Sequence, residues 1–220
     1  MPSLTIENYV KAIYSLSMPG DQAAATGAIA ESLQVSPGSV TSMLKSLSEA
    51  GLAQYVPYEG ARLTQQGKTL ALRVLRRHRL IELFLVQTLD FSWDEVHEEA
   101  EHLEHAVSDL LVDRIDTFLN FPTVDPHGDP IPSADGTITV STGKKLNDLP
   151  AGASFRLIRV HDQSPDFLRY LAEAGLQIGA TGTVTLSQPE AQILTIEVAG
   201  KSTSLSHARA GKLQVDSLSH

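Results

Sequence analysis

The chain has 220 residues, enough to bury a substantial core and to hold two or three small modules. Its 42% hydrophobic and 20% charged residues exclude a wholly disordered chain, and the absence of cysteine excludes disulfides, thiolate metal sites and cysteine nucleophiles. No stretch approaches the roughly 18 consecutive apolar residues of a membrane span. Met1–Tyr9 has neither the basic nor the apolar region of a signal peptide, so the expected location is the cytoplasm, with no membrane partner.

The net charge of −9 argues against nucleic acid until the chain is divided. Residues 1–80 hold 8 Lys/Arg against 5 Asp/Glu, and residues 81–130 hold only Arg114 against 13 Asp/Glu. Residues 131–220 balance at 8 against 8. A basic module is thus joined to an acidic one. The acidic middle also carries His97, His102, His105 and His127, and carboxylates mixed with imidazoles attract divalent cations.

From Ile6 onward the spacing of Tyr9, Val10, Ile13 and Tyr14 predicts an amphipathic helix ended by Pro19-Gly20. A short helix is expected over Gly27–Leu33. A third is expected with Ser36 as N-cap and Pro37 at its first position, running through Val40, Met43, Leu44 and Leu47 to Gly51. Strand-like pieces Leu52–Tyr58 and Ala61–Leu63 follow, hinged at Glu59-Gly60. Helix, turn, helix and hairpin in this order predict a winged helix-turn-helix. The outward positions of the third helix (Ser39, Thr41, Ser42, Lys45 and Ser46) contain no carboxylate, which favours DNA over solvent as its neighbour. The candidate DNA face is Ser36, Pro37, Ser39, Thr41 and Ser42, with Lys45 and, from the wing, Arg62 as phosphate contacts.

Helical periodicity returns over Gly67–Leu89, where Arg73, Arg76, Arg77 and Arg79 either face phosphate or form a solvated stripe. A further helix is expected over Trp93–Phe118, with a seam of Val96, Ala100, Leu103, Val107 and Leu110 suited to helix–helix packing or a dimer interface. The proline-rich stretch Asp125–Pro132 marks a domain boundary, and 133–147 reads as a tether. Beyond Leu149 come short β runs (Ser154–Val160, Gly182–Leu186, Gln192–Val198, Lys201–Leu205) and one helix, Pro165–Ala174, which suggest a small SH3-like barrel. The expected fold is mainly α with small β modules, divided as 1–72, 73–140 and 148–220.

On the helix expected over Trp93–Phe118, His97, Glu101, Glu104 and His105 fall at i, i+4, i+7 and i+8, within an arc of about 100° beside the apolar seam. His78 and Glu82 form an i, i+4 pair on the preceding helix. If the two helices pack side by side, these oxygen and nitrogen donors converge. Without thiolate, such a set suits Mn2+, Fe2+ or Zn2+. Two other readings stand beside a metal-responsive regulator. One is a metal-dependent hydrolase using the same cluster; the other is a winged-helix regulator of a small organic effector, with the carboxylates merely solvated. The sequence has no Walker loop, no Gly-x-Ser-x-Gly and no His-Glu-x-x-His, so no enzymatic activity is expected.

Several segments together resemble the metal-dependent repressors of the diphtheria toxin repressor and manganese transport regulator type. These are Thr5–Tyr9 with Ile13-Tyr14, Ala30–Leu33 through Gly51-Leu52, Thr64-x-x-Gly67, and Arg77-His78-Arg79-Leu80-x-Glu82. His97–His105 followed by Ser108-Asp109, and then Pro126–Pro132, complete the resemblance over nearly the whole chain. It implies a homodimer binding a palindromic operator in double-stranded DNA, metal as corepressor, and genes of metal uptake as targets. It also implies one metal site from His78, Glu82 and His97, and another from Glu101, Glu104 and His105 with help from Asn8. Gln163 and Asp166 would be lent by the C-terminal domain. Iron regulators of the family usually carry cysteine where this chain has Glu101, and hard oxygen at that position favours manganese. Two departures are Asn8, where the short manganese branch has aspartate, and Lys11, where it supplies a second carboxylate.

Overall fold

The computed structural model describes residues 3–18, 20–139 and 142–218. The chain divides into two compact units, Met1–His78 with Glu104–Val107 and Pro132–Thr137, and Arg79–Leu103 with Ser108–Ile131 and Ile138–His220.

In the first unit, α1 (Leu4–Ser17) begins at Ser3, whose hydroxyl accepts from the Ile6 N–H. Tyr9, Val10 and Ile13 are buried while Leu4 and Leu16 face solvent. Pro19, expected to help end this helix, lies outside the described residues. α2 (Thr26–Ser32) and α3 (Pro37–Glu49) follow. Ser36 caps α3 by accepting from Ser39 N–H, and Pro37 opens it, as the sequence predicts. β1 (Ala53–Val56) and β2 (Gly60–Leu63) pair antiparallel to form the wing. The inner residues Ile13, Ile29, Val40, Leu44, Leu47 and Ala61 are fully buried in one core. α4 (Gln65–Leu89) leaves the wing at Gly67, where a Cβ would overlap the Leu52 carbonyl oxygen, so only glycine fits.

The second unit holds the rest of α4, then α5 (Val96–Leu103) and α6 (Asp109–Phe118). The single helix expected over Trp93–Phe118 is therefore two. Trp93–Glu95 form a turn, and Ser108 starts α6 by accepting from Leu111 N–H, a cap that competes with helix continuation. The predicted seam is not carried by one helix, since Val96 and Ala100 are buried on α5 whereas Leu110 lies on α6 and is 67% exposed in the single chain.

The C-terminal part of this unit is an antiparallel six-stranded sheet of order β3-β8-β4-β5-β6-β7. Its strands are β3 (Lys144–Lys145), β4 (Ser154–Val160), β5 (Thr181–Gln188), β6 (Ile193–Val198), β7 (Lys201–Ser206) and β8 (Leu213–Leu218). α7 (Pro165–Glu173) covers it and α8 (His207–Ala210) links β7 to β8. β8 went unpredicted although Leu213 and Val215 alternate correctly; β3 lies inside the stretch read as a tether, of which Val140 and Ser141 fall outside the described residues. Phe155, Leu157, Leu168, Leu171, Leu194 and Ile196 fill this core.

Candidate functional site

In the first unit the ligand-type residues gather where α1 meets the turn after α5. Glu104 has no exposed surface, and its carboxylate accepts from Lys11 Nζ at 2.6 Å on Oε1 and stands 2.5 Å from His78 Nδ1 on Oε2. Burial alone would raise this carboxyl. The His78 hydrogen bond and charge, with the Lys11 ammonium, outweigh burial and hold it below the ordinary carboxylate range. His105 directs Nδ1 to Glu7 Oε2 and Nε2 to Asn8 Oδ1, each at 2.7 Å, while Nε2 is also 3.2 Å from Glu104 Oε1. Glu7, buried on α1, pairs further with Arg77 at 3.6 Å. Sequence reasoning missed Glu7; its signal was a carboxylate beside Asn8 at the start of an otherwise apolar helix face.

The expected face of a continuous helix does not carry these groups. Glu104 and His105 lie in a turn, and the turn directs them toward α1. Glu101 stays on α5, 3.7 Å from His97 Nε2. His105 Nε2 thus has two oxygen donors close by, Asn8 Oδ1 at 2.7 Å and Glu104 Oε1 at 3.2 Å. This donor set fits a hard or borderline divalent cation.

In the second unit, Glu82 lies 2% exposed on α4, 3.1 Å from His97 Nδ1. Glu82, Asp125 and His127, all buried, offer ligand atoms within 4.8 Å of one another. Asp125 is placed by a local turn in which its Oδ1 accepts from His127 N–H at 2.8 Å and Asp129 N–H at 2.9 Å. Burial, then the carboxylates of Asp129 and Glu82, raise its carboxyl to about 8 against the opposing effect of Arg79. His127 has no exposed surface; Nε2 lies 2.7 Å from the Trp93 carbonyl oxygen and Nδ1 has no hydrogen-bond partner among the described residues. An unsatisfied buried nitrogen beside two buried carboxylates fits a metal ligand. Sequence reasoning counted His127 among the acidic-segment histidines but did not place it in a site, and it overlooked Asp125. The Asp-x-His spacing in a proline-fixed turn was the available signal.

The two residues expected from the C-terminal domain have other partners. Gln163 donates to Asp129 Oδ2 at 3.1 Å, and Asp166, nearly fully exposed, pairs with Arg169. Asp129 also accepts from Arg159. The arginines of α4 read as a possible phosphate stripe are largely engaged within the protein. Arg76 donates to the Pro132 carbonyl, Arg77 pairs with Glu7, and Arg79 donates to the Pro130 carbonyl.

On α3, Ser36, Pro37, Ser39, Ser42, Lys45 and Ser46 are exposed while Val40, Leu44 and Leu47 are buried. Thr41 is half-buried and its hydroxyl donates to the Pro37 carbonyl. Arg62 is exposed on the wing, where it donates to the Asp21 carbonyl. Among the described residues no helix is long and apolar enough to cross a membrane.

A capped helix-turn-helix with a wing, clustered hard ligands and an SH3-like sheet define a metal-responsive winged-helix regulator. Comparison with known proteins agrees domain by domain. Residues 1–61 match the iron-dependent repressor N-terminal DNA-binding domain, 64–133 its metal-binding and dimerisation domain, and 144–217 the FeoA domain. The chain is 30% identical over 224 residues to the iron-dependent repressor IdeR of Mycobacterium leprae (strain TN), covering 96% of each. It is 35% identical over 121 residues to the regulator MntR of Oceanobacillus iheyensis (strain DSM 14371), covering 55% of this chain and 81% of that one. A solved manganese-dependent transcriptional repressor in complex with manganese aligns with a TM-score of 0.86 at 36% identity, covering 97% of this chain and all of that one. The chain belongs to the family of metal-dependent repressors that includes the diphtheria toxin repressor and MntR. It is a metal-dependent transcriptional repressor with a DNA-binding and a dimerisation domain. Within the latter, Leu110, Leu111, Phe118 and Phe121 are all exposed.

Proposed function

We propose that this chain is a manganese-responsive repressor of metal-uptake genes that binds a palindromic operator as a homodimer. The observation that carries the metal assignment is the donor chemistry. Both clusters offer carboxylate, amide and imidazole groups only, in a chain without cysteine. Such ligands suit Mn2+, Fe2+ and Zn2+ over ions that favour soft sulfur, and Glu101, a carboxylate where iron regulators of the family usually carry cysteine, favours Mn2+ among them. The relative solved with manganese supports the same choice.

In this reading Asn8, Glu104 and His105 hold one ion, and Glu82, Asp125 and His127 hold another, with His97 against Glu82. A divalent ion at either place supplies positive charge that offsets buried carboxylates and ties together elements distant in sequence. Through Asn8 and Glu7, α1 is fixed to the turn at 104–107. Because α1 packs in the same core as α3, that contact bears on how firmly α3 is presented. Metal shifts DNA binding only by its preference for the competent arrangement over the loose one. In the dimer, two copies of α3 related by a two-fold axis meet successive major grooves. Ser36, Pro37, Ser39, Thr41 and Ser42 form the groove face, and Lys45 and Arg62 serve the phosphates. With no bidentate Arg, Asn or Gln on α3, DNA shape and backbone contacts carry much of the recognition.

The test is fluorescence anisotropy of the protein on DNA from its own upstream region, at fixed salt, with Mn2+, Fe2+, Zn2+ or chelator. Tight binding only with metal, and tightest at saturating Mn2+, is the expected result, because raw affinity of nitrogen and oxygen sites rises from Mn2+ to Zn2+ and does not by itself report the activating ion. Equal binding in chelator overturns the metal-responsive reading, and a preference for Fe2+ overturns the assignment of manganese.

A further inference from the structure

Lys11 occupies an unusual position for a lysine. Its side chain is only 14% exposed, and its ammonium sits 2.6 Å from Oε1 of Glu104, which has no exposed surface. The other carboxylate oxygen faces His78, so both oxygens of Glu104 are engaged. Oε1 is also the oxygen nearest His105 Nε2, which in turn faces Asn8 Oδ1. The ammonium therefore rests on the one Glu104 oxygen that completes the donor group formed with His105 and Asn8.

We propose that Lys11 is a tethered cation that competes with the metal for Glu104 and so sets the metal concentration at which the repressor responds. The inference rests on the reading that Asn8, Glu104 and His105 hold a metal ion. A divalent ion and an ammonium cannot share one buried oxygen without strong repulsion, because charges in poorly solvated surroundings are weakly screened. Lysine suits this task. Its flexible four-carbon stem lets the charged head withdraw toward water while α1 stays in place. With the metal absent, the same head keeps Glu104 from being an uncompensated buried charge, which is strongly destabilising. The competitor is always present at high effective concentration because it is part of the chain. Metal binding must exchange one counter-ion for another, and affinity is lowered by the strength of the pair that is broken.

The experiment is calorimetric titration of Mn2+ into the full-length dimer, comparing the native protein with Lys11→Met, Lys11→Gln and Glu104→Gln, and a melting curve of each in chelator. Glu104→Gln identifies the class of sites that depends on Glu104. In Lys11→Met that class should tighten about tenfold, the equivalent of roughly 1.4 kcal/mol, and the metal-free melting temperature should fall. Lys11→Gln should behave likewise and serves if the methionine variant fails to fold. If both variants bind Mn2+ no more tightly while Glu104→Gln still removes the class, Lys11 is merely structural and the proposal is overturned. If Glu104→Gln removes no class, the metal reading of this turn fails, and the proposal fails with it.

Discussion

His127 and Trp93 are joined by a hydrogen bond whose direction is fixed by chemistry. A carbonyl oxygen can only accept, so at 2.7 Å from the Trp93 carbonyl the His127 Nε2 carries the proton. In the neutral ring, Nδ1 then keeps its lone pair, buried and without a hydrogen-bond partner among the described residues, in a group with Glu82 and Asp125. The backbone of one turn thus selects the tautomer that makes the other nitrogen available as a ligand, as outer contacts commonly do for metal-binding histidines.

The same pair provides a probe. Trp93 is the only tryptophan, and its ring stacks on the His127 ring at 6.1 Å with 16° between planes. Paramagnetic Mn2+ at the Glu82–Asp125–His127 group should quench Trp93 emission, and diamagnetic Zn2+ should quench it far less. His127→Gln should abolish the quenching while the dimer persists. Undiminished quenching in that variant, followed by fluorescence titration, would move the ion elsewhere.

Asp125 gives the metal-free protein a defined pH dependence. Burial, Asp129 and Glu82 raise its folded carboxyl to about 8, whereas in the unfolded chain it ionises near pH ~4. A raised folded value favours the folded state fully below the unfolded value, and that support is lost as pH rises through about 8. In chelator the melting temperature should therefore fall between about pH 4 and about pH 8, and the slope should flatten in Asp125→Asn. At about pH 8 the asparagine variant should melt a few degrees higher, consistent with relief of roughly 1 kcal/mol, and it should lose Mn2+-induced stabilisation. A variant that melts lower at that pH would refute the assignment of an unfavourable buried carboxylate.

DNA binding should separate positioning from readout. Lys45 is exposed on α3, with the exposed Glu49 one turn further on. Lys45→Ala should weaken binding to all sequences alike and reduce the slope of log affinity against log salt by about 1 per site. Ser39→Ala should instead change the preference among operator variants with the slope intact. Anisotropy at several salt concentrations distinguishes these outcomes, and an unchanged slope for Lys45→Ala would remove it from the phosphate contacts.

Much of the fold was legible because local signals agreed. The Ser36-Pro37 start of α3 and the extent of β4 follow directly from the residues. The break between α5 and α6 was not legible, because the apolar residues Leu103, Val107 and Leu110 continue a helical period across it. Only the cap at Ser108 overrides that period, and a serine within a helical pattern is a weak signal. The consequence for the site is large, since Glu104 and His105 reach α1 from a turn. Ligand types were readable from composition, but partners such as Glu7 with His105, or Asp125 with Glu82, are set by contacts between segments far apart in sequence. No periodicity encodes those.

Gly128 tests how much of the site depends on the proline turn. It has φ +84°, and a Cβ there would overlap the Ile158 carbonyl oxygen and stand 2.7 Å from Arg159 Cα. The close approach lets the His127 carbonyl accept from Val160 N–H at 2.9 Å and brings Asp129 to Arg159. Gly128→Ala therefore combines a left-handed conformation disfavoured for a residue with a side chain and a collision with backbone that cannot rotate away. It should destabilise the protein by about 3 kcal/mol or more, and the turn that presents Asp125 and His127 should loosen with it. Thermal melting in chelator measures the first effect and Mn2+ titration of Trp93 emission the second. A variant that melts like the native protein would mean that β4 yields to the turn, and the rigid placement of these two ligands would have to be abandoned.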